Sequence, residues 1–141
     1  MKYLQIDSEG TITSYAQTVE GIQLDAPAGS IEIEDSVQVD LETMYWDLDT
    51  LSLETKPARP SLFYKWVNKA WVLDTEKLVA GIRITRSNLL KESDWTQMPD
   101  SPLTTEQQVA WATYRQQLRD ITDNLTGSET TIEDAPWPSA P

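Results

Sequence analysis

Two groups of carboxylates carry a spacing that chemistry uses. Asp47-Leu48-Asp49 is a D-x-D pattern, which in some enzymes holds a metal–nucleotide complex. Glu32, Glu34 and Asp35 form a second acidic group. Paired carboxylates can divide general-acid and general-base work when their surroundings split their pKa values. Here the surroundings read otherwise. Asp47 and Asp49 stand between the strand-like runs Met44-Tyr45-Trp46 and Leu51-Ser52-Leu53-Glu54, where aspartate serves a turn through its own side-chain hydrogen bonds. Glu32 and Glu34 alternate with Ile31 and Ile33, the pattern of a solvated strand face. The chain has no His and no Cys, which removes His or Cys metal sites, disulfides and any triad that uses His. There is no P-loop, no G-x-G-x-x-G and no G-x-S-x-G. The sequence therefore reads as non-enzymatic, and no residue is assigned as catalytic, metal-binding or cofactor-binding.

Aromatic residues hold more promise. Of six Trp, five fall after the proline-bearing stretch 56–60: Trp66, Trp71, Trp95, Trp111 and Trp137. Large rings gain most when buried, so Trp71, Trp95 and Trp111 are expected in the core. Tryptophan is also enriched at interface hot spots. Trp137 sits in the proline-rich tail Ala135–Pro141, either folded back on the helices or free to engage a partner.

The charge is uneven. Residues 1–54 contain twelve acids and one base, Lys2, a net of −11; residues 55–141 contain eleven acids and ten bases, a net of −1. Such a field repels phosphates and acidic lipid, so nucleic acid and membrane are not expected partners. It favours solubility, or steering toward a basic surface. No run approaches the roughly 18 apolar residues of a membrane span, and the N-terminal residues lack the apolar core of a signal peptide. Asn124-Leu125-Thr126 has the form of a glycosylation acceptor, but nothing indicates secretion.

These residues need elements to position them. Tyr3–Ile6 and Thr11–Tyr15 around Gly10 predict a β-hairpin. Residues 16–30, with Gly21, Pro27 and Gly29, read as mostly irregular. Ile31–Ile33 and Val37–Val39 predict short strands, and the runs around Asp47–Thr50 a second hairpin. Lys56-Pro57-Ala58-Arg59-Pro60 predicts an extended linker. A third hairpin follows, Phe63–Trp66 and Ala70–Leu73, with Asn68 suited to positive φ. Helix one is predicted from an Asp74 N-cap to about Leu90, with Leu78, Ile82, Thr85 and Leu89 on one stripe. Helix two starts at Thr104, with Gln107 completing a capping box, and is expected to reach about Leu125, with Trp111, Tyr114, Leu118 and Ile121 inward. Between the helices, Ser93–Thr104 reads as a staple with Trp95 packed inside. Asp94 is expected to cap locally or to pair with Arg86 or Arg115. The fold class is α+β: an acidic β-rich N-terminal region at 1–55, a Pro-rich linker at 56–61, and a hairpin-plus-two-helix module at 62–141.

One segment also carries a family likeness. Arg86-Ser87-Asn88-Leu89-Leu90, then Ser93-Asp94-Trp95-Thr96-Gln97-Met98-Pro99-Asp100 and Pro102-Leu103-Thr104, resemble the signature of phage tail assembly chaperone proteins. Ala110–Ile121 continues it and Trp137-Pro138 completes it, so the likeness covers about residues 60–141. Met98 stands where Leu is common, and Gly127–Asp134 lengthens the approach to Trp137. The resemblance implies an accessory protein that helps a tail polypeptide, in particular a tail-fibre polypeptide, to fold or assemble, with no catalysis and no cofactor. It leaves open a permanent structural subunit of the tail, fibre or baseplate. It implies work in the host cytoplasm during assembly, or retention in the virion tail. The residues expected at a partner contact are Trp137, Tyr114, Arg115 and Arg119.

Overall fold

The computed structural model describes residues 1–20 and 25–141; Gly21, one of the residues of the expected irregular stretch, lies outside them. Strands come first and helices second, an α+β architecture without a closed barrel. The order is β1 (Lys2–Ile6), β2 (Ile12–Gln17), β3 (Ile31–Ile33), β4 (Met44–Asp47), β5 (Ser52–Thr55), β6 (Tyr64–Val67), β7 (Ala70–Leu73), α1 (Thr75–Glu92), a 3₁₀ turn (Asp94–Gln97) and α2 (Thr105–Arg119). The chain divides into two compact units, Met1–Val72 and Leu73–Pro141.

In the first unit β1 is central, flanked antiparallel by β2 and β3. Among the described residues, Leu4 and Ile12 are its buried apolar side chains. The turn between β1 and β2 needs Gly10. Its φ is +80°, and a Cβ there would lie 2.1 Å from the Trp46 carbonyl oxygen. That close approach lets the Trp46 N–H donate to the Gly10 carbonyl at 2.8 Å, tying the first hairpin to β4. Two further hairpins follow, β4–β5 and β6–β7. Asn68 and Lys69 turn the last one with φ of 47° and 60°. Val37–Val39 forms no strand. Instead the Val37 carbonyl accepts a hydrogen bond from the nearly buried Lys2 ammonium at 2.5 Å. A side chain satisfies backbone that a strand partner would otherwise have paired.

The division into units falls within β7 of the third hairpin, between Val72 and Leu73; the sequence suggests a boundary at 56–61. Residues 56–60 are tied to that hairpin by side chains. The Trp71 indole N–H donates to the Pro57 carbonyl at 2.7 Å. The Arg59 guanidinium donates to the carbonyls of Leu62 and Tyr64. Extended backbone has no internal hydrogen bonds, so such donors fix it at little cost.

In the second unit Asp74 caps α1 by accepting from the Lys77 N–H. Thr104 and Gln107 form the full reciprocal capping box of α2. Leu78 and Ile82 of α1 pack with Tyr114, Leu118 and Ile121 as the buried core, closed by Ala135 from the tail. The second helix ends at Arg119, short of the expected Leu125. The chain then runs through tight turns, Ile121 N–H to Leu118 O, Asp123 N–H to Asp120 O and Asn124 N–H to Ile121 O. Ile121 keeps its place on the apolar stripe while the backbone leaves the helix.

Candidate partner-binding site

The carboxylates settle first. Lys69 reaches both Asp47 and Asp49 at 2.6 Å. Asp47 also accepts from the N–H groups of Asp49 and Thr50. The Lys69 hydrogen bond and these backbone donors hold the Asp47 carboxyl below its ordinary range. The D-x-D is thus a turn clamped to the next hairpin by an ammonium. No group of three or more His, Cys, Asp or Glu among the described residues could hold a metal ion. Among those residues, too, no helix is long and apolar enough to cross a membrane.

Two aromatic trios remain. In the first unit the ring centroids of Tyr45 and Trp66 lie 5.2 Å apart, as do those of Trp66 and Trp71. Both indoles carry cations from the chain itself. Lys56 sits 5.8 Å from the Trp66 ring and Arg59 5.4 Å from the Trp71 ring. Burial pushes the Lys56 pKa down, against the pull of Asp40 and Glu42. Its ammonium donates to the carbonyls of Leu41 and Glu42 at 3.4 and 3.2 Å.

In the second unit Trp95 and Trp111 lie 6.0 Å apart, and Trp111 and Tyr114 5.5 Å apart, all edge to face. The segment that positions them is Ser93–Gln97. Ser93 caps α1: its N–H and its hydroxyl both donate to the carbonyls of Leu89 and Leu90. Thr96, 1% exposed, donates to the Ser93 carbonyl at 2.7 Å. Arg115 comes across from α2. Its guanidinium donates to Leu90 O at 2.5 Å, to Ser93 Oγ at 2.7 Å and to an Asp94 carboxylate oxygen at 2.8 Å. The staple between the helices is therefore polar. Of the partners open to Asp94, the structure selects Arg115.

Trp95 has no part in that network. It is 48% exposed, beside Met98 at 54%, so the expectation of a core Trp95 is corrected. A 3₁₀ turn of four residues aims Ser93 and Thr96 inward, and Trp95, between them, points out. Trp71 and Trp111 are half-buried and do not form the core either; the aliphatic residues of α1 and α2 do. Next to Trp111 lies an open groove of about 260 Å³ lined by Leu89, Glu92, Ser93, Trp111, Tyr114 and Ala140.

Residues 79–141 match the phage tail assembly chaperone protein family. No curated protein and no solved structure gives a significant match to the chain. The phage tail assembly chaperone match starts within α1. It includes the Arg115 staple, both open tryptophans and the tail, and leaves the β6–β7 hairpin outside.

The four residues nominated from sequence take different places against that match. Tyr114 and Arg115 are buried, at 6% and 7% exposure. Arg115 spends its donors inside the protein, and its Nε is buried without a partner. Arg119 is exposed, and among the described residues it makes a long 3.5 Å contact to Gln116. Trp137 is half-buried and folded back: its indole N–H donates to Ile132 O at 2.8 Å. The added stretch 127–134 supports that fold-back through two carboxylates. Backbone donors from Thr126 and Gly127 converge on Glu129, and those of Thr130 and Thr131 on Asp134. These hydrogen bonds lower both pKa values. Sequence reasoning missed Trp95 as a surface residue. The signal was present, a large ring in a polar turn, but it was assigned to burial.

Proposed function

We propose that this chain is an assembly chaperone for a phage tail protein, with a tail-fibre polypeptide as its client. The observation that carries the reading is the family match over 79–141, joined to a turn within it that exposes Trp95 and Met98. A fibre chain awaiting its partners exposes apolar surface and unpaired strand edges, which aggregate unless covered. Aromatic side chains supply the cover. The net charge of −12 keeps the complex dispersed and steers it toward basic client surface. The work is done by binding in the host cytoplasm during assembly, without catalysis. Arg119 and Trp137 would widen the contact, while Tyr114 and Arg115 act from beneath by supporting Trp111 and Trp95.

Co-expression with the tail or fibre protein tests this reading. The chain should raise the yield of soluble, assembled client, and it should be missing from purified virions by mass spectrometry. Equal yields with and without it would refute the chaperone role. Stoichiometric recovery in virions would make it a structural subunit.

A further inference from the structure

The two aromatic trios have similar ring spacing, and a cation-bearing segment of the chain lies on the first. That segment is Lys56-Pro57-Ala58-Arg59-Pro60. Lys56 lies over Trp66, Arg59 over Trp71, and the Pro57 carbonyl accepts the Trp71 indole N–H. An extended chain with prolines and alternating cations thus fits two edge-to-face indoles. Prolines lower the entropy lost on docking, and each cation gains from an indole face.

The second trio has the same residue types, Tyr114 is buried and Ala140 borders the groove, but among the described residues no cation lies over Trp95 or Trp111. Trp95 is 48% exposed, and Arg115, the cation beside it, turns its guanidinium inward to Leu90, Ser93 and Asp94. The rim is acidic. Glu92 lines the groove beside Trp111. Asp94 is 63% exposed and gives one oxygen to Arg115. A second copy of this chain is a poor occupant, since two bodies of net charge −12 repel.

We propose that the Trp95–Trp111 face, with Glu92 and Asp94 at its rim, is a docking site for an extended segment of a partner protein that carries Lys or Arg among prolines. The proposal rests on the chaperone reading for its biological partner and names the chemistry that the partner must show. The recognised segment would lie on the aromatic groove as residues 56–60 lie on Trp66 and Trp71.

The test titrates the full chain into a fluorescein-labelled peptide of two Lys-Pro-Ala-Arg-Pro repeats, and into the acidic counterpart with Glu in place of Lys and Arg. Fluorescence anisotropy should show saturable binding of the basic peptide, about tenfold or more tighter than the acidic one. Trp95→Ala keeps the net charge and should weaken the basic peptide at least about fivefold. Glu92→Lys, in the last turn of α1 where a cation suits the helix dipole, should weaken it too while the fold persists. Unchanged binding in both variants, or equal binding of both peptides, would overturn the proposal. Repeating the client co-expression with Trp95→Ala separates the two readings. If the wild-type chain raises the client's yield and the variant does so equally, the site falls and the chaperone role stands. If the wild-type chain does nothing, the chaperone role falls, and the peptide titration alone decides the site.

Discussion

Tyr45, Trp66 and Trp71 in one unit, and Trp95, Trp111 and Tyr114 in the other, are made of the same residue types at similar separations. They differ in what surrounds them. The first trio helps to hold together a unit in which, among the described residues, Leu4 and Ile12 are the buried apolar side chains. Its rings substitute for aliphatic volume, and local cations and carbonyls are spent on them. The second trio sits over a unit that already buries Leu78, Ile82, Leu118 and Ile121. Tyr114 belongs to that core, but the trio's two indoles are less needed for stability: Trp111 is half-buried and Trp95 stands half in water. Aromatic residues are therefore structural where the chain spends its own cations and carbonyls on them, and available for recognition where aliphatic side chains do the packing.

The sharpest way to break this contrast is to remove the polar staple beneath the second trio. Arg115→Ala deletes three charged hydrogen bonds to Leu90, Ser93 and Asp94. Each is a charge-assisted bond, and the buried Ser93 hydroxyl oxygen loses the guanidinium donor, while the Leu90 carbonyl keeps the Ser93 N–H and hydroxyl. Unfolding by denaturant should show a loss of about 3 kcal/mol. Arg115→Lys should recover only part of this, because a single ammonium cannot span the acceptors of a planar fork. A loss near zero for Arg115→Ala would mean that the aliphatic core alone holds the helices together.

Much of this arrangement was legible in the sequence where the signal is local. Asp74 and Thr104 announced their helices because a cap needs only residues within one turn. The hairpins announced themselves through alternation and through turn residues such as Gly10 and Asn68. The errors came where a distant residue decides. Val37–Val39 alternates like a strand, yet Lys2 takes the Val37 carbonyl. The apolar stripe of α2 reaches Ile121, yet the helix ends at Arg119, because periodicity records which side chains are inward and not whether the backbone between them stays helical. Arg115 was nominated for a partner because charge usually lies outside; only the carbonyls ending α1, 25 residues away in sequence, reveal it as internal. Trp95 was the mirror error, an apolar ring assigned inward whose neighbours Ser93 and Thr96 had already taken the inward positions.

A smaller effect sharpens the other side of the comparison. Trp71→Phe keeps an apolar ring but removes the N–H that donates to Pro57 and some of the face beneath Arg59. The expected loss is about 1–2 kcal/mol, one hydrogen bond and part of one cation–ring contact. It should be accompanied by loosening of 56–60, read as faster elastase cleavage after Ala58. If cleavage is unchanged, the linker is held by Arg59's own bonds to Leu62 and Tyr64 and not by the indole.

The smallest stability effect should come from Trp95→Ala. A fully buried tryptophan cut to alanine costs about 3–5 kcal/mol. Trp95 is 48% exposed, so much of its area stays wet in the folded state and contributes nothing to folding. What it does lose is one edge-to-face contact with Trp111 at 6.0 Å and the covered part of its ring. Ser93, Thr96 and Arg115 keep the turn in place without it. The expected cost is about 1 kcal/mol, a shift of roughly 4–8 °C in the melting temperature of a small domain. The same substitution should remove most of the binding to a basic, proline-containing segment. A large loss of stability would place Trp95 back in the core and erase the distinction between the two trios. A small loss together with lost binding would separate the ring's two possible roles, since packing defects and recognition defects would then fall on different measurements.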